Sequence, residues 1–86
     1  LGRMNAEQKV ASFLLEMADR IGSSQADGKK IVTLPLSRQQ IADVLGLTIE
    51  TVSRQLTGLR KEGVIALPSR REIVLRSVGD LRDRAG

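Results

Sequence analysis

Residues 37–63 read SRQQIADVLGLTIETVSRQLTGLRKEG, and this stretch has the pattern of two short helices around one glycine. Ser37 with Gln40 three residues later is a capping-box signal. Apolar residues then recur at helical spacing, which predicts a helix over 37–45. Gly46 follows, and glycine readily takes the left-handed conformation that ends a helix. The stretch therefore begins with a short helix that stops at a tight turn.

A second helix is predicted directly after the turn, over 48–62. Thr48 is a good N-cap residue. Beyond it the apolar residues recur at i, i+3, i+7 and i+10, which forms one core-facing stripe; they are Ile49, Val52, Leu56 and Leu59. A glycine-containing turn between two such helices is a helix-turn-helix unit, whose second helix enters the major groove of DNA with its N-terminal residues toward the bases.

Three polar side chains are predicted to point outward from the first two turns of this second helix: Glu50, Ser53 and Arg54. An arginine can donate two hydrogen bonds to guanine, a glutamate can accept one from the cytosine amine, and a serine can reach several bases. Because Glu50 and Arg54 are four residues apart, an ion pair between them is predicted to hold the guanidinium toward one base. The alternative interpretation is an ordinary solvated helix face.

A β-hairpin wing is predicted over 64–75. Two β-prone runs lie within it, and Pro68 and Ser69 separate them. Arg70 and Arg71 fall at the tip of the hairpin. Contact of these arginines with DNA phosphates is one interpretation, and a merely soluble loop is the other.

Further elements are predicted on both sides of this unit. An amphipathic helix over 5–21 carries an apolar stripe that should pack against the two DNA-facing helices. Residues 23–30 read as a polar connection, and the apolar run over 31–34 as an edge strand that closes the small sheet. Ser77 can cap a short C-terminal helix over 78–85.

The predicted fold is a winged helix-turn-helix, mainly α with a small antiparallel sheet, over residues 1–86. Eighty-six residues make one small domain, which should bury roughly 60–65% of the surface that its unfolded chain exposes. There is no room for a second domain.

Composition narrows the classes of function. Fourteen Lys and Arg against ten Asp and Glu give a net charge of +4, a mild bias toward polyanions. The chain has no cysteine and no histidine, which excludes disulfides, thiol chemistry and the usual zinc ligands. Without clustered carboxylates or a phosphate-binding glycine motif, no catalytic constellation is present, so an enzyme is not expected. Phe13 is the one aromatic residue, so single-stranded nucleic acid has no stacking platform.

The stretch SRQQIADVLGLTIETVSRQLTGLRKEGVI, followed by a basic hairpin, resembles the C-terminal winged-helix domain of the Crp/Fnr family of bacterial transcription regulators. The pattern Glu-x-x-Ser-Arg is similar to the Fnr and FixK branch. The Crp branch has an Arg before the Glu and a Gly in place of the Ser, where this chain has Ile49 and Ser53. LGRM and KVASFLL also resemble the segment that follows the dimerisation helix of this family.

The resemblance implies roles for individual residues within an Fnr-like TTGAT half-site. It implies that Arg54 contacts guanine, that Glu50 contacts the opposite strand and that Ser53 contacts a thymine. Phosphate contacts are implied for Ser37, Gln39, Thr48 and Thr51. Arg38 is expected to contact either the DNA backbone or a partner protein, and RNA polymerase is a candidate partner. Helix capping alone would also explain Ser37 and Thr48.

The resemblance also carries expectations about a longer parent protein. The chain begins with Leu1 where the family would have just left its dimerisation helix, so an excised domain is expected. The parent would be a homodimer with an upstream sensor domain, and the fragment would be monomeric or weakly associating. No cofactor is expected in this chain, since any effector would bind the upstream domain. With no long apolar stretch and no signal peptide, the cytoplasm is the expected location, without membrane contact.

The same residues are compatible with two other winged-helix interpretations. One is a winged helix of another regulator family, such as MarR or GntR, which would leave double-stranded DNA as the partner. The other is a protein-binding winged helix, whose second helix usually presents an apolar outer face. Here that face is polar and charged.

Overall fold

The computed structural model describes residues 3–86, and in it four helices pack together with a small four-stranded antiparallel sheet. Leu1 and Gly2, the start of the LGRM segment and of the domain predicted over 1–86, lie outside the described residues. The architecture is the predicted winged helix-turn-helix. In chain order the elements are α1 (Ala6–Ile21), β1 (Ser23–Ser24), β2 (Lys30–Thr33), α2 (Arg38–Leu45), α3 (Ile49–Lys61), β3 (Ile65–Ala66), β4 (Glu72–Leu75) and α4 (Val78–Ala85).

Capping residues set the helix boundaries. Asn5 and Ser37 each form a full capping box with a glutamine three residues later, so α1 and α2 begin one residue after their caps. Gly46 ends α2 with φ at 69°, the left-handed conformation that favours glycine. Thr48 caps α3, and Glu62 is the C-cap at its other end. The turn between α2 and α3 is therefore built by local signals.

The sheet has four strands in the order β1-β2-β4-β3, all antiparallel. The strand predicted over 31–34 is present as β2, but its predicted position at the sheet edge is wrong, because β2 lies between β1 and β4. The outer strand β1 lies within the connection predicted over 23–30, where Ser23 pairs with Ile31. A turn closed by the Gln25 amide, which donates to the Lys29 carbonyl at 2.8 Å, brings the two together. Serines carry no strong β-signal, so this pairing comes from the hairpin and not from local propensity.

One apolar core joins all four helices to the sheet. The first helix packs chiefly against α4, and also against α3 and β2. The expected packing of α1 against α3 is confirmed, whereas its main partner, α4 with the fully buried Leu81, was not expected. Ile21, expected on the apolar stripe, is 49% exposed because the helix ends there. Of the helices within residues 3–86, none has the length and apolar character needed to cross a bilayer.

Candidate nucleic-acid interface

The exposed face of α3 carries the three side chains predicted to contact bases. Its buried face, made of Val52, Leu56 and Leu59, is no more than 2% exposed and anchors the helix to the core. Glu50 and Arg54 lie on the exposed side, and Ser53 is half-buried beside them. All three are in the first two turns of the helix, which is the part that a major groove admits.

The predicted ion pair between Glu50 and Arg54 is not formed. The charged contacts shorter than 4.0 Å in the described part of the chain join other residues. Exposed ion pairs at this spacing stabilise a helix by only about 0.3–0.5 kcal/mol. This gain does not always exceed the entropy that the two side chains lose when they pair. Each charge on this face is therefore free to reorient toward a ligand.

Two of the residues expected to contact phosphate act as helix caps in the structure. The Ser37 hydroxyl accepts a hydrogen bond from the Gln40 amide at 3.2 Å. The Thr48 hydroxyl accepts one from the Thr51 amide at 3.2 Å and donates to the Thr51 hydroxyl at 2.9 Å. Capping thus accounts for their presence. The same caps leave the first amides of α2 and α3 pointing outward, which favours anions at both helix starts.

The start of α2 and the tip of the wing together enclose an open depression of about 490 Å³, called the basic depression below. It is lined by Ser37, Arg38, Gln39, Ile49, Arg70 and Arg71. Five of these six were predicted to contact phosphate, so the tertiary structure brings two distant groups of predicted residues together. Thr48 and Thr51, the other predicted phosphate contacts, are not part of its lining.

The charge of the basic depression is well suited to a polyanion. It gathers three arginines from two elements, and among residues 3–86 none of the three is within 4.0 Å of a carboxylate. One hydrogen-bonding group of Gln39 is already used, because its side-chain amide donates to the Asp43 carboxylate at 3.0 Å. The depression opens beside the N-terminus of α3, since Ile49, the first residue of that helix, lines it.

The two arginines at the wing tip differ in their surroundings. The Arg71 guanidinium donates to the Leu34 carbonyl at 3.4 Å, and the Arg71 carbonyl accepts from the Leu34 amide at 2.8 Å. Arg71 therefore ties the wing to the segment that leads into α2. Arg70 is exposed at the rim of the same depression. Sequence reasoning treated the two as equivalent, because 37 residues separate Arg71 from its partner.

Sequence reasoning also missed Lys9 of α1. Its ammonium group donates to the carbonyl of Leu45 at 3.1 Å, at the C-terminus of α2. A cation in this position satisfies a carbonyl that the helix leaves unpaired and complements the helix dipole. The contact supports the turn at Gly46 from outside the helix-turn-helix unit. Nothing in the sequence signals it, because the partners are 36 residues apart.

Comparison with known proteins identifies the family. The Crp-like helix-turn-helix domain family matches residues 8–84. The nitrogen fixation regulation protein FixK of Azorhizobium caulinodans is 55% identical over 82 residues, which are 95% of this chain and 33% of that protein. The transcriptional activator protein FnrL of Cereibacter sphaeroides is 42% identical over 89 aligned positions, covering 100% of this chain and 36% of that protein. The chain thus spans about a third of the length of these curated relatives.

Solved structures show the same fold. FixK2 from Bradyrhizobium japonicum superposes with a TM-score of 0.87 at 43% identity, over 100% of this chain and 41% of that one. The CO-dependent transcription factor CooA from Carboxydothermus hydrogenoformans, in its imidazole-bound form, has a TM-score of 0.87 at 28% identity, over 95% and 37% of the two chains. This chain therefore belongs to the family of Crp-like helix-turn-helix domains, on the Crp/Fnr branch that includes FixK and FnrL.

Proposed function

We propose that this chain binds double-stranded DNA sequence-specifically, with α3 in the major groove of an Fnr-like TTGAT half-site. The observation that carries the proposal is the polar, exposed N-terminal face of α3 beside the basic depression. In this arrangement Arg54 donates to guanine, Glu50 accepts from a base of the opposite strand, and Ser53 contacts a thymine. Each role suits the hydrogen-bonding capacity of its side chain.

Phosphate contacts would then set the register of the protein on the duplex. The basic depression offers Arg38 and Arg70, together with the first amides of α2, to the DNA backbone next to the groove. Thr48 and Thr51 lie at the start of α3, outside the basic depression, and would contact a separate phosphate. The remaining proposed phosphate contacts come from Ser37, Gln39 and Arg71. Of these, Ser37 also caps α2, and Arg71 also holds the wing to Leu34.

The whole protein would act as a dimeric regulator in the cytoplasm. A homodimer with an upstream sensor domain would read an inverted repeat whose half-sites lie about one helical turn, roughly 34 Å, apart. RNA polymerase is the proposed protein partner, and any effector would bind outside this chain. The identity to FixK and FnrL over a third of their length supports this proposal. The isolated 86-residue chain would lack the avidity of the dimer and bind more weakly.

The experiment is a fluorescence-anisotropy titration of the chain with a duplex that carries two inverted TTGAT half-sites. The control duplex has the two recognised guanines changed, and both are measured at two salt concentrations. A clear preference for the intact duplex is expected, with affinity that falls as salt rises. Equal, salt-sensitive binding to both duplexes would show a DNA-binding domain with another operator. No binding at low salt would contradict the proposal and favour a protein partner.

A further inference from the structure

The C-terminal helix α4 spans the corner where α3 passes into the wing. The helix α3 ends at its C-cap Glu62, and β3 starts three residues later. At the start of α4, the amides of Arg76 and Ser77 both donate to the Val64 carbonyl, at 2.9 and 3.2 Å. The N-cap of α4 and the residue before it are therefore hydrogen-bonded to the chain segment that turns from α3 into the sheet.

The other end of α4 reaches the same corner through one guanidinium. Arg84 donates to the Glu62 carboxylate at 2.7 Å and, from the same nitrogen, to the Glu7 carboxylate of α1 at 3.2 Å. The Arg84 side chain is 23% exposed, whereas Glu62 and Glu7 are 57% and 43% exposed. A single cation thus joins the first turn of α1, the C-cap of α3 and the last turn of α4.

Small changes in the direction of α3 matter for base reading, because a helix of this length moves as a rigid rod. Thirteen residues make a helix about 20 Å long, so a rotation of about 5° at its C-terminus moves its N-terminus by roughly 1.7 Å. Hydrogen bonds to base edges tolerate only a few tenths of an ångström. The buried face of α3 anchors the helix along its length, and a contact at its C-terminal end limits the remaining rotation that would misalign Arg54 with a guanine while the wing contacts the backbone.

We propose that Arg84 is a positioning residue for base reading, which fixes the direction of α3 relative to the wing through Glu62 and Glu7. Arg84 itself does not contact DNA in this proposal. The inference rests on the proposed DNA-binding function, since it assigns the alignment of that same site to a contact at the far end of the helix. The alternative is that the Arg84 contacts support stability alone.

The test compares Arg84→Gln with Arg82→Gln. Both substitutions remove one positive charge from α4, but Arg82 is exposed and forms no ion pair within residues 3–86. Affinities for the intact TTGAT duplex and for the guanine-changed duplex are measured at a temperature where circular dichroism shows every variant fully folded. The preference of Arg84→Gln for the intact duplex should fall about fivefold or more, the lower end of what a bidentate base contact contributes. Arg82→Gln should keep the wild-type preference, and Arg84→Lys should restore part of it.

Two further measurements separate the possible failures. Residual dipolar couplings of the amides report the angle between α3 and the wing in the absence of DNA, and Arg84→Gln should change that angle. If Arg84→Gln does not fold, Glu62→Gln breaks the shorter contact and leaves the contact to Glu7. A wild-type preference that Arg84→Gln retains, or an unchanged angle, would overturn the inference alone. A wild-type chain without any preference would refute the proposed function and the inference with it.

Discussion

Arg54 is exposed in the second turn of α3, so its guanidinium is available to a base in the major groove. Because a bidentate contact reads one guanine, Arg54→Ala should cost about 1–3 kcal/mol per half-site and relax the preference at that base pair. Anisotropy titrations with intact and guanine-changed duplexes measure the effect. Equal losses on both duplexes would remove the base-reading role from Arg54.

Arg70 and Arg71 should behave differently although they are adjacent. Arg70→Ala should weaken binding to all sequences alike and reduce the slope of log affinity against log salt by about one, as expected for one lost phosphate contact. Arg71→Ala should have the same effect on DNA and should also lower the melting temperature, because it loses the hydrogen bond to the Leu34 carbonyl. Thermal melts of both variants beside salt-dependent titrations make the comparison. Identical melting temperatures would show that the Leu34 contact does not stabilise the wing.

At the scale of the element, the glycines of the helix-turn-helix unit differ in what they contribute. Gly46 has φ at 69°, so Gly46→Ala should destabilise the protein by about 1–2 kcal/mol. Gly58 lies inside α3, and a Cβ added there would meet no atom within 4 Å. Gly58→Ala should therefore stabilise by about 0.5–1 kcal/mol through better helix propensity. Chemical denaturation of the two variants checks the opposite signs, and a destabilised Gly58→Ala would contradict the account of α3.

At the scale of the whole molecule, α4 is part of the core and not an appendage. Leu81 is fully buried where α4 packs on α1. Leu81→Ala should cost about 2–5 kcal/mol, a large share of the roughly 5–15 kcal/mol that stabilises a typical domain. Val44→Ala is the matched control, because Val44 is 66% exposed and should change stability by less than about 0.5 kcal/mol. Urea unfolding of both variants gives the comparison, and similar midpoints would mean that α4 does not stabilise the fold.

The Arg84 contacts make stability depend on pH. The hydrogen bond from Arg84, and then its charge, hold the pKa of the Glu62 carboxyl below its ordinary value of 4.5. Since the folded pKa is the lower one, the stability that this carboxylate contributes is present above about pH 4.5 and is lost as the pH falls through the folded pKa. Glu62→Gln should therefore lower the melting temperature at pH 7, and its difference from wild type should close in acid.

The control for this pH dependence is Glu16→Gln. Glu16 forms an exposed ion pair with Arg20 at 3.1 Å on α1, and surface pairs of this kind contribute little. The melting temperature of the Glu16→Gln variant should stay near that of the wild type at pH 7 and at every lower pH measured. A Glu62→Gln variant with a constant offset at every pH would show that the lost stability comes from packing and not from ionisation.

Local patterns along the chain specify the features that depend on neighbours within one helical turn. The capping box at Ser37, the glycine at position 46 and the N-cap Thr48 placed α2 and α3 to within one residue, because each signal involves groups only a few residues apart. The apolar residues of α3 recur with the helical period and define its buried face, so the same pattern places Arg54 and Glu50 on the exposed face. These local signals were sufficient for the fold class.

Contacts between residues far apart along the chain are visible only in the folded protein. The basic depression joins the start of α2 to the wing tip, Arg71 reaches Leu34 across 37 residues, and Arg84 reaches Glu7 across 77. The pairing of Ser23–Ser24 with β2 likewise follows from hairpin closure and not from β-propensity. No periodicity in the sequence encodes such contacts. They form because the apolar faces of separate elements, such as the face of α4 that carries Leu81, are buried against one another in one core.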